Sequence, residues 1–275
     1  MKLRNTYITP VLLLLLAVNT VSAQTDTAET DVPVDGYYKH EVYKEAKPIP
    51  LPEVDRNNVR FYKRVYKDIN LADSANSIFI MPGASLIEIV LEGIKSGAIT
   101  AYDATSTKDN PTGDAFTRPL TYEQAMATLT DSVLVPVFDD EGNQVSARMM
   151  LNDFNPAVVT KFRIKEDIFY DNQRSRIETR IIGLAPLRKI DVADEMILEQ
   201  PAFWLYYPQC RKYFVTKEVS DPRRDIYNVS LDDIFIQQSF ASDIIKEANP
   251  ADEKAKDPEK IEKEITEYKE ETWKY

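Results

Sequence analysis

Two side chains in this sequence could together form a nucleophilic enzyme site, and each is the only residue of its type. Cys210 and His40 are the only cysteine and the only histidine among 275 residues. Such a pair could attack a carbonyl if the imidazole removed the thiol proton. His40, however, precedes a proline-bearing stretch, and Cys210 lies among aromatic residues in FWLYYPQCRKYF (203–214). Free cysteine of this kind is usually buried. We therefore predict that Cys210 is a core residue, although the neighbouring Arg211 and Lys212 leave a reactive thiol as an alternative.

Other recognisable site chemistry is also missing from the sequence. One histidine and one cysteine cannot build the usual zinc or iron sites. The stretch FDDEGNQ (138–144) groups three acids with a glycine, but it lacks the spaced ligands of a calcium loop and predicts a hairpin turn. No glycine-rich phosphate-binding loop occurs among the seven glycines. The sequence predicts no catalytic residue, no cofactor and no metal.

The first 23 residues have the layout of a secretory signal peptide. Lys2 and Arg4 precede an apolar run, and small residues end at Ala23. The apolar run is shorter than the roughly 20 residues that a membrane-spanning helix needs. We predict cleavage between Ala23 and Gln24, with export and no lipid anchor.

The acidic composition argues against two classes of binding partner, nucleic acid and anionic lipid. The formal net charge is −11, and removing two basic residues with the leader makes it −11 − 2 = −13. Binding to nucleic acid or to anionic lipid requires clustered Lys and Arg, so neither is expected. A single cysteine cannot form an internal disulfide, and the exported chain must therefore depend on its apolar core.

Hydrophobic periodicity predicts a mixture of helices and antiparallel strands. Ser85 with Glu88, and Thr121 with Gln124, are capping boxes that begin two helices, the first of which ends at Gly97. Residues 161–187 alternate in polarity on either side of a polar turn, which indicates a hairpin with charge pairs such as Arg163 or Lys165 near Glu178.

The remaining segments complete a prediction of class α+β: an antiparallel sheet with packed helices, an extended N-terminal arm and a charged C-terminal helix. Residues 61–71 suit a strand or helix, AFWLYYP a strand ended by Pro208, and 230–249 a helix capped by Ser230. The predicted divisions are a signal peptide (1–23), a Pro- and Tyr-bearing arm (24–58), a core (59–249) and a charged helical tail (250–275). The arm is either a solvated linker or a strap that folds onto a neighbour. Ile261, Ile265 and Tyr268 fall on one side of the charged tail. The tail is either a solvated helix or one that docks, because a purely solubilising tail has little use for Trp273.

Several segments together resemble a known family. SGAITAYD (96–103), KEDIFYDNQRSRIETRIIGLAP (165–186), FWLYYPQCR (203–211) and SLDDIFIQQSFASDIIKEAN (230–249) are similar in order and spacing to the gliding-motility family GldN and its counterpart PorN. The N-terminal arm does not match recognisably.

The resemblance implies a non-enzymatic periplasmic component of the type IX secretion system of Bacteroidetes. It also implies self-association in a ring at the periplasmic face of the outer membrane. The implied partners are a GldK/PorK-like outer-membrane lipoprotein and a GldM/PorM-like periplasmic motor component. The resemblance assigns no catalytic residues to this chain, and it implies no direct insertion into a membrane.

Because interfaces favour Tyr and Arg, the candidate partner contacts are Arg174, Arg176, Tyr206, Tyr207 and Arg211. The alternatives are an exported ligand-binding protein and a Cys210-dependent hydrolase.

Overall fold

The computed structural model of the protein describes residues 45–130, 132–138, 144–151, 154–192, 196–248 and 257–272. Its largest element is an antiparallel sheet of eight strands in the order β12–β1–β6–β7–β9–β2–β3, with β8 paired to β7. The strands of this sheet are β1 (Val59–Asn70), β2 (Ala101–Asp103), β3 (Pro119–Leu120), β6 (Lys161–Asp171), β7 (Arg176–Val192), β8 (Met196–Pro201), β9 (Phe203–Tyr206) and β12 (Asp243–Glu247).

Two further hairpins and several helices complete the fold. The hairpins pair β4 (Ser132–Phe138) with β5 (Gln144–Leu151), and β10 (Glu218–Asp221) with β11 (Ile226–Ser230). The α-helices are α1 (Leu86–Lys95), α2 (Tyr122–Leu129), α3 (Tyr207–Phe214), α4 (Leu231–Ile236) and α5 (Pro258–Thr272). Short 3₁₀ helices span Arg56–Asn58, Ser74–Ile80, Pro156–Val158 and Pro222–Arg224. The predicted α+β class is confirmed. The calcium-loop candidate at 138–144 joins β4 to β5, and residues 139–143 lie outside the described residues.

The local helix signals are confirmed. Ser85 and Glu88 form a reciprocal capping box at the start of α1, and Thr121 and Gln124 form another at the start of α2. Such boxes satisfy two of the main-chain N–H groups that a helix start leaves without partners. Gly97 follows α1 at φ +74°, a left-handed conformation that glycine adopts without steric cost.

The predicted hairpin of residues 161–187 is confirmed as β6 and β7, but its predicted charge pairs are wrong. In the observed register, Glu178 lies opposite Phe169 and contacts Arg176 and Arg180 instead. Arg163 forms two hydrogen bonds with Asp68 of β1, at 2.7 and 2.8 Å. A charged residue on an inner strand can pair with either neighbouring strand, as Arg163 does, or with residues two positions away on its own strand, as Glu178 does, and periodicity alone does not distinguish these cases.

One face of the sheet carries the larger apolar core. Helices α1 to α4 and the 3₁₀ helix Ser74–Ile80 contribute to it. The largest fully buried side chains within it include Tyr207, Phe79, Phe162, Phe203, Phe214 and Phe235.

A loop covers part of the opposite face. Residues 104–116 bring Asp114 and Phe116 over β1, β6 and β9. Lys165 forms an ion pair with Asp114 at 2.8 Å, and the Tyr66 hydroxyl donates to the same carboxylate. Phe116 meets Trp204 edge to face, with 6.3 Å between the ring centroids. The loop therefore seals a second, smaller core.

Two predicted elements differ from the observed ones. The helix expected over 230–249 ends at Ile236, although its predicted cap is present, since Ser230 Oγ accepts from the Asp233 N–H at 3.1 Å. Gln238 then adopts φ +51°, which no α-helix accommodates, and β12 follows. The strand expected from AFWLYYP is shorter: β9 ends at Tyr206, and α3 begins at Tyr207, with Pro208 tolerated in its first turn.

The described part of the C-terminal tail docks on the sheet. Ile261 and Ile265 of α5 are buried against Val65 and Ile168. Tyr268 stacks on Phe61 with the ring centroids 4.4 Å apart. The docking alternative is therefore the correct one for this helix. No helix within the described ranges is both long enough and apolar enough to cross a membrane.

Candidate interaction surface

Cys210 is buried and has no catalytic partner among the described residues. Its side chain is 1% exposed, and its thiol donates to the Tyr206 carbonyl oxygen at 3.4 Å. Burial raises the pKa of the thiol to about 12. The thiolate, which is the nucleophilic form, is therefore scarce near neutral pH. The prediction that Cys210 is a core residue is confirmed. His40 lies outside the described residues.

Native protein should consequently resist alkylation of Cys210 by iodoacetamide near neutral pH, whereas the denatured protein should take up one label. Intact-mass spectrometry would measure both. As a control, Arg174→Cys introduces a thiol at an exposed turn position, and this variant should be labelled once in the native state. Rapid labelling of native wild-type protein would contradict the burial of Cys210.

Acidic and sulfur-bearing side chains do not gather into a metal site in the part of the chain that the structure describes. Several of the buried or partly buried carboxylates there form ion pairs instead. Asp68 binds Arg163, Asp167 binds Arg64, and Asp232 binds Arg211. These pairs join distant segments of the chain to one another.

Two of the five candidate contact residues lie on the hairpin turn, at the surface. Arg174 is exposed and forms an ion pair with Asp171 at 2.5 Å. Arg176 is also exposed and donates to Glu178 at 2.7 Å. Their carboxylate partners are buried, whereas both arginine side chains are partly exposed, so each guanidinium keeps a solvent-facing side that is open to a partner.

Tyr206 is half-buried at the end of β9. Its ring lies 5.3 Å from that of Phe116, measured between centroids, on the face that the loop 104–116 covers. Contact with a partner stays a prediction for Tyr206, as it does for Arg174 and Arg176.

The other two candidates are buried inside the chain, and their assignment to a partner surface is corrected here. Arg211 donates to both carboxylate oxygens of Asp232, at 3.0 and 2.9 Å, and the Tyr207 hydroxyl donates to the same carboxylate at 2.8 Å. Burial, followed by the charge of Asp232, raises the pKa of Tyr207. Both residues lie on α3, where residues three or four apart share a face. The sequence pattern could not reveal this pairing, because Asp232 lies more than 20 positions away.

Arg211 also fixes the described end of the N-terminal arm. We call residues 48–53 the strap. Arg211 Nη2 donates to the Ile49 carbonyl oxygen at 2.7 Å, and Arg180 Nη2 donates to the Pro52 carbonyl oxygen at 3.2 Å. Further on, Asn172 donates its N–H to the Asn58 carbonyl oxygen at 2.8 Å. The arm therefore passes beside β7 towards the β6–β7 turn, in the direction opposite to that of β7.

A groove of about 270 Å³ separates the strap from β7. One wall consists of six consecutive β7 residues, from Arg176 to Ile181, and the other side carries Leu51 and Pro52. The strap leaves its own apolar side chains in solvent, with Ile49 66% and Leu51 39% exposed. Ile236 of α4, also partly exposed, lines the same groove. This groove and the arginine-bearing turn beside it form the candidate interaction surface.

A family model described as gliding motility associated protein GldN matches residues 54–274. The chain belongs to the GldN family. The match runs from just before β1 to beyond the end of α5, so the whole sheet and the docked helix lie within the family region. The strap precedes residue 54 and lies outside it. A search of curated proteins found no match. GldN membership makes this a gliding motility associated protein, and it confirms the resemblance inferred from the sequence segments.

Proposed function

We propose that the protein is a non-enzymatic structural component of the type IX protein secretion and gliding motility machinery. In this proposal it acts in the periplasm and forms a ring with a GldK/PorK-like outer-membrane lipoprotein. The ring meets a GldM/PorM-like periplasmic motor component. The observation that carries the proposal is the GldN family match over residues 54–274.

The described residues offer support of a second kind. Cys210 is buried, and the arginine–carboxylate pairs described above connect structural elements to one another. What remains exposed is suited to association: arginines at a turn and an apolar groove beside them. Arginine is enriched where proteins bind one another, because its guanidinium forms several directed hydrogen bonds.

The outer-membrane location follows from the same proposal. A chain whose formal net charge is −11 − 2 = −13 after loss of the leader, with no cluster of Lys and Arg, has little affinity for an anionic membrane surface. Retention at the outer membrane then requires an anchored partner, and the lipoprotein supplies that anchor.

The test is size-exclusion chromatography with light scattering on the mature chain, alone and mixed with the lipoprotein's soluble domain. We expect a complex at micromolar concentration that elutes ahead of either component. Arg174→Glu/Arg176→Glu should weaken it if the turn contributes to the contact. Lys263→Glu, on the exposed side of α5, is the charge-reversal control. A monomer that ignores the lipoprotein, but is stabilised against heat by a small molecule, would favour a ligand-binding protein instead.

A further inference from the structure

Strand β7 lies inside the sheet, but part of it has a neighbouring strand on one side only. On one side it pairs with β6 along residues 176–187. On the other side, β9 pairs only with Gly183 and Leu184, and β8 pairs with residues 187–192. Among the described residues, no strand pairs with the outer edge of residues 176–181. Such an edge presents main-chain N–H and C=O groups that can accept another strand.

The strap covers this edge without pairing with it. Pro48, Pro50 and Pro52 have no N–H group, so they cannot donate to a strand ladder. The strap is held instead by the side chains of Arg180 and Arg211, which bind its carbonyl oxygens. Because Ile49 and Leu51 remain exposed, little apolar area holds the strap in place. An outward shift of the strap would therefore expose little additional apolar area, mainly that of Leu51.

The charges along the edge select the kind of segment that fits. Arg174 and Arg176 are exposed at one end of the edge, and Arg180 stands further along it. Glu178 lies between them and pairs with both Arg176 and Arg180, so residues 174–181 keep an excess of positive charge. The partner should therefore be extended and acidic. The chain itself contains such a segment: residues 24–38 carry Asp26, Glu29, Asp31 and Asp35 and have no Lys or Arg. Residues 25–34 also include Thr and Val at five positions, residue types that favour strands.

We propose that residues 24–38 of a second copy of this chain add as a strand to the β7 edge at residues 176–181. Pro33 is compatible with this role, because an added strand becomes the new edge and one side of it faces solvent. This inference rests on the self-association in the proposed function and assigns the contact that produces it. The arm and the edge are two different patches on one chain, as a head-to-tail ring contact requires.

A second copy fits better than the chain's own segment. The strap already runs antiparallel to β7, so the chain's own residues 24–38 could reach the edge only after a reversal, either at Asp35-Gly36 or within residues 39–47. The second stretch, KHEVYKEAK, contains no Gly, Pro, Asn, Asp or Ser, the residues that dominate turns. A segment arriving from another copy needs no reversal at either place.

Two full-length mature variants test the proposal by complementation. The donor variant replaces the four carboxylates (Asp26→Asn, Glu29→Gln, Asp31→Asn, Asp35→Asn). The acceptor variant is Arg174→Glu/Arg176→Glu. We expect wild-type protein to self-associate and each variant alone to do so at least about tenfold more weakly, measured by light scattering. A mixture of the two should give a one-to-one dimer, because one intact edge and one intact arm remain.

The control variant removes the same number of charges elsewhere. Glu259→Gln/Glu262→Gln/Glu270→Gln/Glu271→Gln changes four exposed carboxylates of α5 and should associate like the wild type. Self-association of the donor variant at wild-type strength would overturn the proposal. So would a monomeric wild-type chain, or a mixture of the two variants that stays monomeric.

Hydrogen exchange separates strand addition from simple charge attraction. In the wild-type oligomer and in the mixed dimer, the amides of residues 176–181 should exchange more slowly than in either variant alone. Association without such protection would overturn strand addition. Failure of this inference is distinguishable from failure of the proposed function, because the donor variant should still bind the lipoprotein's soluble domain if only the inference is wrong.

Discussion

Replacing Arg211 by alanine should lower the free energy of unfolding by about 3–5 kcal/mol. The guanidinium and the Asp232 carboxylate are both buried and form two hydrogen bonds with each other. Truncating the arginine leaves a buried carboxylate with only the Tyr207 hydroxyl as its remaining described side-chain partner. Chemical denaturation, followed by circular dichroism, would measure the loss.

Two further variants make the Arg211 result interpretable. Arg176→Ala removes an arginine whose side chain is 58% exposed, and it should cost no more than about 1 kcal/mol. The double variant Arg211→Met/Asp232→Leu removes both charges and should cost less than Arg211→Ala alone, because no buried charge is left uncompensated. If Arg211→Ala lowers the free energy of unfolding no more than Arg176→Ala does, the ion pair between Arg211 and Asp232 is not buried.

Gly113→Ala should destabilise the protein by about 3 kcal/mol. Gly113 adopts φ +72°, and an added Cβ would collide with the main-chain carbonyl oxygen of Ala104. The loop that holds Asp114 and Phe116 over the sheet would have to move, and the ion pair of Asp114 with Lys165 would be strained. Thermal unfolding would report the global loss, and a change in the near-ultraviolet circular dichroism, to which Trp204 contributes, would report the local one.

Gly97→Ala separates the two causes of that loss. Gly97 has nearly the same φ, +74°, but a Cβ there meets nothing within 4 Å. It should therefore cost only the left-handed backbone penalty, about 1 kcal/mol. If both variants lost the same amount of stability, the close approach of Gly113 to the Ala104 carbonyl oxygen would not contribute to the cost of the substitution.

Features that depend on neighbours in sequence were predictable. The caps at Ser85 and Thr121 need a partner only three residues away, and the β6–β7 hairpin needs only alternation on both sides of a turn. The α+β class followed from these local patterns. The family match over residues 54–274 includes all four segments on which the resemblance to GldN rests.

Features that depend on distant partners were not predictable. Arg211 could serve a partner protein or Asp232 equally well until α3 and α4 were placed side by side. Edge strand β12 is only half-buried, so its apolar residues do not alternate clearly, and its sequence continues the helical pattern of α4. At the candidate surface, the exposure of Arg174 and Arg176 followed from a turn, whereas the anchoring of the strap by Arg180 and Arg211 required the fold.

The placement of β1 between β6 and β12 fixes the order in which this protein can finish folding. The ion pair of Arg64 with Asp167 joins residues 103 positions apart, and that of Lys63 with Glu247 joins residues 184 positions apart. Contacts that close such long loops make folding slow. Because synthesis begins at the N-terminus, β1 is made long before β6 and β12 and stays without either neighbour until most of the chain has been synthesised. Completion of the sheet therefore waits for residues near the C-terminus, and α5 can close over β1 only after that.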